Sequence, residues 1–135
     1  MGTMKNTVFL ALFAILILGC SNDDVSPTQI IGNWKLMEAK FYSPEGESST
    51  DYSNSNIIYN FKANGTLVVS GEEHPGYTDG TYEYFFGNDF LGGETDPKVL
   101  LVKINGSKWT YDLTQGKMTL GKSYVDGPNL IFKRN

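Results

Sequence analysis

Two hydrophobic regimes divide the chain. Residues 8–18 are all apolar and follow Lys5, and the run breaks off into the polar Ser21-Asn22-Asp23-Asp24. From about residue 30 the pattern changes to alternation of apolar and polar positions, the period-two signature of half-buried strands. The first such segment, residues 29–41, places Trp34 and Leu36 on one face. Helix competes there, because Lys-Leu-Met-Glu-Ala-Lys at 35–40 are good helix formers. Seven further strand-like segments, most of them alternating, follow at 57–62, 66–70, 80–86, 98–104, 107–113, 117–121 and 129–134.

Turn chemistry separates these segments. Asn64-Gly65, Asn105-Gly106, Gln115-Gly116 and Gly127-Pro128 sit between them, and Asn-Gly is a strong short hairpin signal because both residues tolerate positive φ. Longer connections cover residues 42–56, 71–79 and 87–97. A connection as long as the first is uncommon in a compact domain and reads as a binding loop or a disordered excursion.

Eight short strands with no room for a crossover helix make antiparallel neighbours. An open sheet would leave two raw edges, which closure removes. The expected fold is therefore all-β, an eight-stranded antiparallel up-and-down barrel, with a two-sheet β-sandwich as the alternative. If Trp34 points inward, alternation sends in Leu36, then Ile57, Tyr59 and Phe61, then Tyr82, Tyr84 and Phe86. Trp109, Tyr111 and Leu113 follow, and then Leu130, Phe132 and Arg134. An inward arginine needs a partner. The Trp34 face supplies one through a cation–π contact.

Composition narrows the classes. The chain has 135 residues and one cysteine, Cys20, so no internal disulfide can form. The apolar run at 8–18 is too short to cross a bilayer, which takes about 20 residues. With its single basic residue and polar continuation it has the layout of a cleaved secretory signal. Residues 1–19 are then a leader, 20–29 a polar tether and 30–135 one domain with a core of its own. The whole chain carries 11 basic and 15 acidic residues with no basic cluster, so nucleic acid is excluded as a partner.

Ile17-Leu18-Gly19-Cys20 resembles the lipobox of bacterial lipoproteins. The resemblance implies cleavage between Gly19 and Cys20 and lipidation of the Cys20 thiol, giving palmitate-type acylation and an outer-membrane, lipid-anchored protein. One acyl chain holds a protein only marginally, whereas the several chains of that family hold it firmly. Ser21-Asn22-Asp23-Asp24 also resembles the export signal of Bacteroidetes-type surface lipoproteins, so cell surface and periplasmic face both stay open.

A second resemblance covers about residues 30–134. Gly32-Asn33-Trp34 is similar to the Gly-x-Trp signature of lipocalins, and Arg134 to the arginine that packs over that tryptophan. Phe61-Lys62-Ala63-Asn64-Gly65-Thr66-Leu67, Gly80-Thr81-Tyr82 and Leu130-Ile131-Phe132-Lys133-Arg134 resemble small bacterial lipocalin-like lipoproteins. The resemblance implies a barrel closed by Trp34 and Arg134 that binds a small apolar ligand. Departing from full-size lipocalins, no flanking helix is readable after the last strand.

The candidate lining of such a cavity is Tyr59, Phe61, Tyr82, Tyr84, Trp109 and Tyr111. Against it stands geometry: eight strands enclose a space that side chains alone can fill. The alternative function is a surface interaction module with a solid core, contacting protein or glycan through residues 42–56 and 87–97, with Tyr42, Tyr52, Tyr77 and Phe90 as contact aromatics. Catalysis finds no support. His74 is the sole histidine, and neither a nucleophile elbow nor a phosphate loop accompanies it. Glu72, Glu73, His74 and Asp79 lack metal-ligand spacing, and Glu45, Glu47 and Asp51 read as a solvated loop. No cofactor is expected.

Overall fold

The computed structural model describes residues 26–135. A 3₁₀ turn, Pro27–Gln29, leads into nine strands: β1 Gly32–Ser43, β2 Gly46–Asp51, β3 Ile58–Phe61, β4 Thr66–Ser70, β5 Gly80–Phe90, β6 Lys98–Ile104, β7 Ser107–Thr114, β8 Lys117–Gly121 and β9 Asn129–Arg134. A second 3₁₀ turn, Ser123–Val125, interrupts the β8–β9 connection. Every pairing is antiparallel, in the order β2-β1-β3-β4-β5-β6-β7-β8-β9, and β1 also pairs with β9. That last pairing closes eight strands into an up-and-down barrel, with β2 as an addition outside the ring. The sandwich alternative is thereby excluded, and the 35–40 segment is strand rather than helix.

The eight segments expected as strands are the eight barrel strands. The ninth comes from residues 42–56, where a loop was expected: β1 continues to Ser43, and β2 returns along it from Ser43↔Gly46 to Glu38↔Asp51. β1 outruns β3, whose pairing covers only Gly32 to Lys35, so its distal half has an edge that β2 occupies. β5 likewise runs on to Phe90, shortening the expected 87–97 loop.

Turn geometry matches expectation at two hairpins. Asn105 and Gly106 both have positive φ (48° and 81°), as do Gln115 and Gly116 (52° and 75°), the two-residue arrangement whose twist suits flanking strands. At 63–65 only Gly65 is left-handed, at φ 83°. Asn64 instead accepts the Thr66 N–H through its side chain, 3.1 Å, an Asx-type turn.

Strand register gives the barrel two distinct ends. At one, here called the entry end, lie residues 26–31, the 63–65 and 115–116 turns and the β5–β6 loop. At the other, the distal end, lie the β1–β2 hairpin, residues 71–79, Asn105-Gly106 and the β8–β9 connection.

The interior is packed solid with side chains. Trp34, Leu36, Tyr59, Phe61, Leu67, Ile104, Met118, Leu120, Leu130 and Phe132 are buried, and the Tyr59 and Phe132 rings meet at 4.8 Å. Ile30 joins this core and plugs the entry end, while Trp34 Nε1 donates to the Ile30 carbonyl at 2.8 Å. Arg134 is exposed rather than interior. Its guanidinium lies over the Trp34 ring, 4.1 Å from the centroid, and donates to the carbonyls of Gln29 and Ile31. Leu113, also expected inside, is 36% exposed near the β7–β8 turn.

Candidate functional site, an aromatic cleft at the distal end

Gly19, Cys20 and the leader lie outside the described residues. Of the six aromatics expected to line a cavity, Tyr59 and Phe61 are fully buried within the core. Tyr84 packs edge-on against Phe61 at 5.0 Å and turns its hydroxyl to the Lys62 carbonyl at 2.6 Å. Tyr111 meets Phe86 edge-on at 4.7 Å and points its hydroxyl to Gln29. Tyr82 donates to the Thr78 carbonyl, 2.6 Å. Of the six, Trp109 alone borders the hollow that the distal connections build.

That hollow, about 560 Å³, lies at the distal end. Four pieces of chain build it. Phe41 comes from the part of β1 that extends beyond the ring, and His74, Pro75, Gly76 and Tyr77 from the β4–β5 loop. Ile104, Asn105, Ser107 and Trp109 come from the β6–β7 hairpin, and Lys122 and Pro128 from the β8–β9 connection. Its volume falls in the usual range for small-molecule sites, and a mostly apolar wall with a few polar groups is their usual chemistry.

Hydrogen bonds fix the aromatic wall. Trp109 Nε1 donates to Tyr77 Oη at 2.8 Å, and that hydroxyl donates to the Ile104 carbonyl at 3.4 Å. Lys122 places its ammonium 4.6 Å from the Trp109 ring centroid and also donates to Ser107 Oγ. The cleft thus has one cation, held where an aromatic face offsets part of its desolvation.

The β4–β5 loop is fastened to the core by one buried side chain. Tyr59 Oη donates to His74 Nε2 at 2.7 Å and accepts the Tyr77 N–H at 3.0 Å. His74 Nδ1 donates to the Glu72 carbonyl at 2.8 Å. A carbonyl can only accept, so Nδ1 carries the proton and Nε2 is free to accept from Tyr59. Gly76 is needed for this approach, because a Cβ there would stand 2.3 Å from Tyr59 Oη. Burial pushes the Tyr59 phenol well above its ordinary range, and that of Tyr77 upward too. Both therefore stay neutral donors.

The other expected contact aromatics separate. Tyr52 and Tyr77 pack against the core, Phe90 lies under the Lys98 ammonium at 5.3 Å, and Tyr42 is 47% exposed on the β1–β2 hairpin. Among the described residues no group of three or more His, Cys, Asp or Glu side chains is placed to hold a metal, and no helix is long and apolar enough to cross a membrane.

Sequence reasoning missed Phe41, Pro75, Asn105, Ser107, Lys122 and Pro128 as neighbours. A usable signal was present in the strand count. In an up-and-down barrel alternate connections emerge at the same end, which groups residues 71–79, 105–106 and 122–128 before any coordinate is known. No family model, curated protein or solved structure matches the chain.

Proposed function

We propose that this protein is a lipid-anchored, lipocalin-like lipoprotein of the outer membrane that binds a small, largely apolar ligand. The ligand site is the distal cleft rather than the barrel interior. The observation that carries this reading is the aromatic-walled hollow of about 560 Å³ at the barrel end opposite the one where the chain enters. An acyl chain on Cys20 would leave that cleft facing away from the bilayer. Phe41, Tyr77 and Trp109 suit an apolar body. Lys122, Ser107 and Asn105 suit a carboxylate or other polar head at its edge. No step of chemistry is needed, and the protein acts by binding.

The two tryptophans make the test specific, since Trp109 borders the cleft and Trp34 is buried at the entry end. Titration with a fatty-acid and haem panel should change tryptophan emission saturably, and Trp109→Phe should remove the response while Trp34 emission persists. The fully buried interior supports a second reading, an interaction module contacting protein or glycan through the β1–β2 hairpin and its exposed Tyr42. A silent panel favours that module.

A further inference from the structure

On the outer wall, away from the cleft, three lysines stand in direct cross-strand register. Lys117 faces Lys133, and Lys133 faces Lys35. All three point outward, because their chain neighbours Met118, Phe132 and Trp34 are buried. Like charges directly opposite one another destabilise a sheet. Among the described residues the two ion pairs are Lys40–Glu47 and Lys103–Asp89, so none of the three lysines is neutralised by a carboxylate.

Beside this row lies a hollow of about 380 Å³, with Lys117 and Lys133 on one side, Glu38 and Asp51 on the other and Ile131 and Met37 between. Its shape has a local cause. The β1–β9 register slips between Leu36 and Glu38, leaving Met37 as an extra residue, and such a bulge bends the strand and re-aims the next side chains. The carboxylates are only partly engaged: Glu38 accepts from the Ser49 hydroxyl and Asp51 from the Ser53 N–H at 2.8 Å. Each retains lone pairs for another donor. Opposite charges thus line one hollow without touching.

We propose that this hollow binds a zwitterion of the phosphoethanolamine class. The phosphate sits at Lys117 and Lys133, the ammonium at Glu38 and Asp51, and the methylenes over Ile131 and Met37. A simple anion would meet repulsion from the two carboxylates. A carboxylate zwitterion would leave the lysine row less neutralised than a phosphate does, since phosphate offers more charge and more acceptor oxygens. The site is independent of the distal cleft, with which it shares no lining residue.

The test is an ¹H–¹⁵N NMR titration of the purified chain with O-phosphoethanolamine, and separately with inorganic phosphate and with ethanolamine. Saturable shifts are expected at Glu38, Lys117, Ile131 and Lys133, with phosphoethanolamine preferred over phosphate by about tenfold. Lys133→Ala should weaken both ligands. Glu38→Gln should weaken phosphoethanolamine alone and so erase the preference. Non-saturating shifts, or equal binding of phosphate and phosphoethanolamine that Glu38→Gln leaves unchanged, would overturn the proposal. Vesicle sedimentation in a Cys20→Ser background identifies the source. Phosphatidylethanolamine vesicles pulling down more protein than phosphatidylcholine ones, an excess that Lys133→Ala removes, mark a lipid headgroup. Binding of the soluble compound without that excess marks a free metabolite.

Discussion

The Arg134 guanidinium crosses the space that a side chain on Gly32 would fill. Gly32 has φ 124°, and a Cβ on it would lie 2.6 Å from Arg134 Nη1. Glycine is required by the backbone conformation, and its missing Cβ leaves the room that the guanidinium crosses to reach the Gln29 and Ile31 carbonyls. This contact joins the first barrel strand to the last.

Truncating the joint should be costly. Trp34→Ala is expected to lose about 3–5 kcal/mol, as for other large buried aromatics, and Arg134→Ala about 0.5–2 kcal/mol for the cation–π contact. Urea unfolding with unchanged m-values measures both. A Trp34→Ala loss below about 1 kcal/mol would show that the indole does not close the core.

Tyr59→Phe keeps the ring in the core and removes the fastening of the β4–β5 loop. It leaves the Tyr77 N–H and His74 Nε2 without their partner. The expected loss is about 1–3 kcal/mol, accompanied by faster amide exchange at Tyr77 and in its loop, with the entry end unaffected. Exchange accelerated evenly over the whole barrel would show instead that Tyr59 acts only as bulk.

High pH should unfold the protein. Burial raises the phenols of Tyr59, Tyr77, Tyr84 and Tyr111 in the folded state. A raised phenol contributes stability that is fully present below roughly pH 10, the unfolded value, and is lost as the pH climbs through the folded range. Circular dichroism and phenolate absorbance should therefore change together above that point. Phenolate appearing in full at ordinary tyrosine pH without loss of structure would contradict it.

Low pH has a smaller, local effect. Hydrogen bonds from Lys103 and from the Phe90 N–H hold Asp89 below the usual carboxylate range. Its depressed value means that the contribution is present above the ordinary carboxylate range and lost as pH falls through the folded value. Asp89→Asn should flatten the acid limb of the stability curve.

Cys20→Ser should leave the leader unprocessed and shift the protein out of detergent-extracted membrane fractions. Immunoblotting of fractions reads both effects. A variant still processed and still lipid-labelled would remove Cys20 as the attachment residue.

How much of this was legible in the sequence differs sharply by element. The eight barrel strands were readable because most alternate and turn residues such as Gly, Asn or Pro lie close beyond their ends. β2 was not, because Gly46-Glu47-Ser48-Ser49-Thr50-Asp51 is polar at every position and exposed on both faces, so it has no period. It is a strand only because β1 offers an edge. Trp34 and Arg134 were legible as partners from their places in the first and last strands, though not the arginine's exposure. Met37, the bulged residue, resets the phase of β1 so that Ala39 is buried. The cleft was the least legible part, since its walls come from connections far apart in sequence whose own residues carry no periodicity.

The solid entry end and the loop-built distal end have a consequence for how the protein can vary. The residues that fix the closed ring, Gly32, Trp34 and Arg134, sit towards the entry end, and none of them borders the cleft. Substitutions at Pro75 or Lys122 would therefore change the cleft while leaving that joint untouched, whereas Asn105 is held by the positive φ of its turn and by the Glu83 N–H. The scaffold is suited to diversification at one rim, by natural drift or by loop libraries, while the opposite rim is held constant.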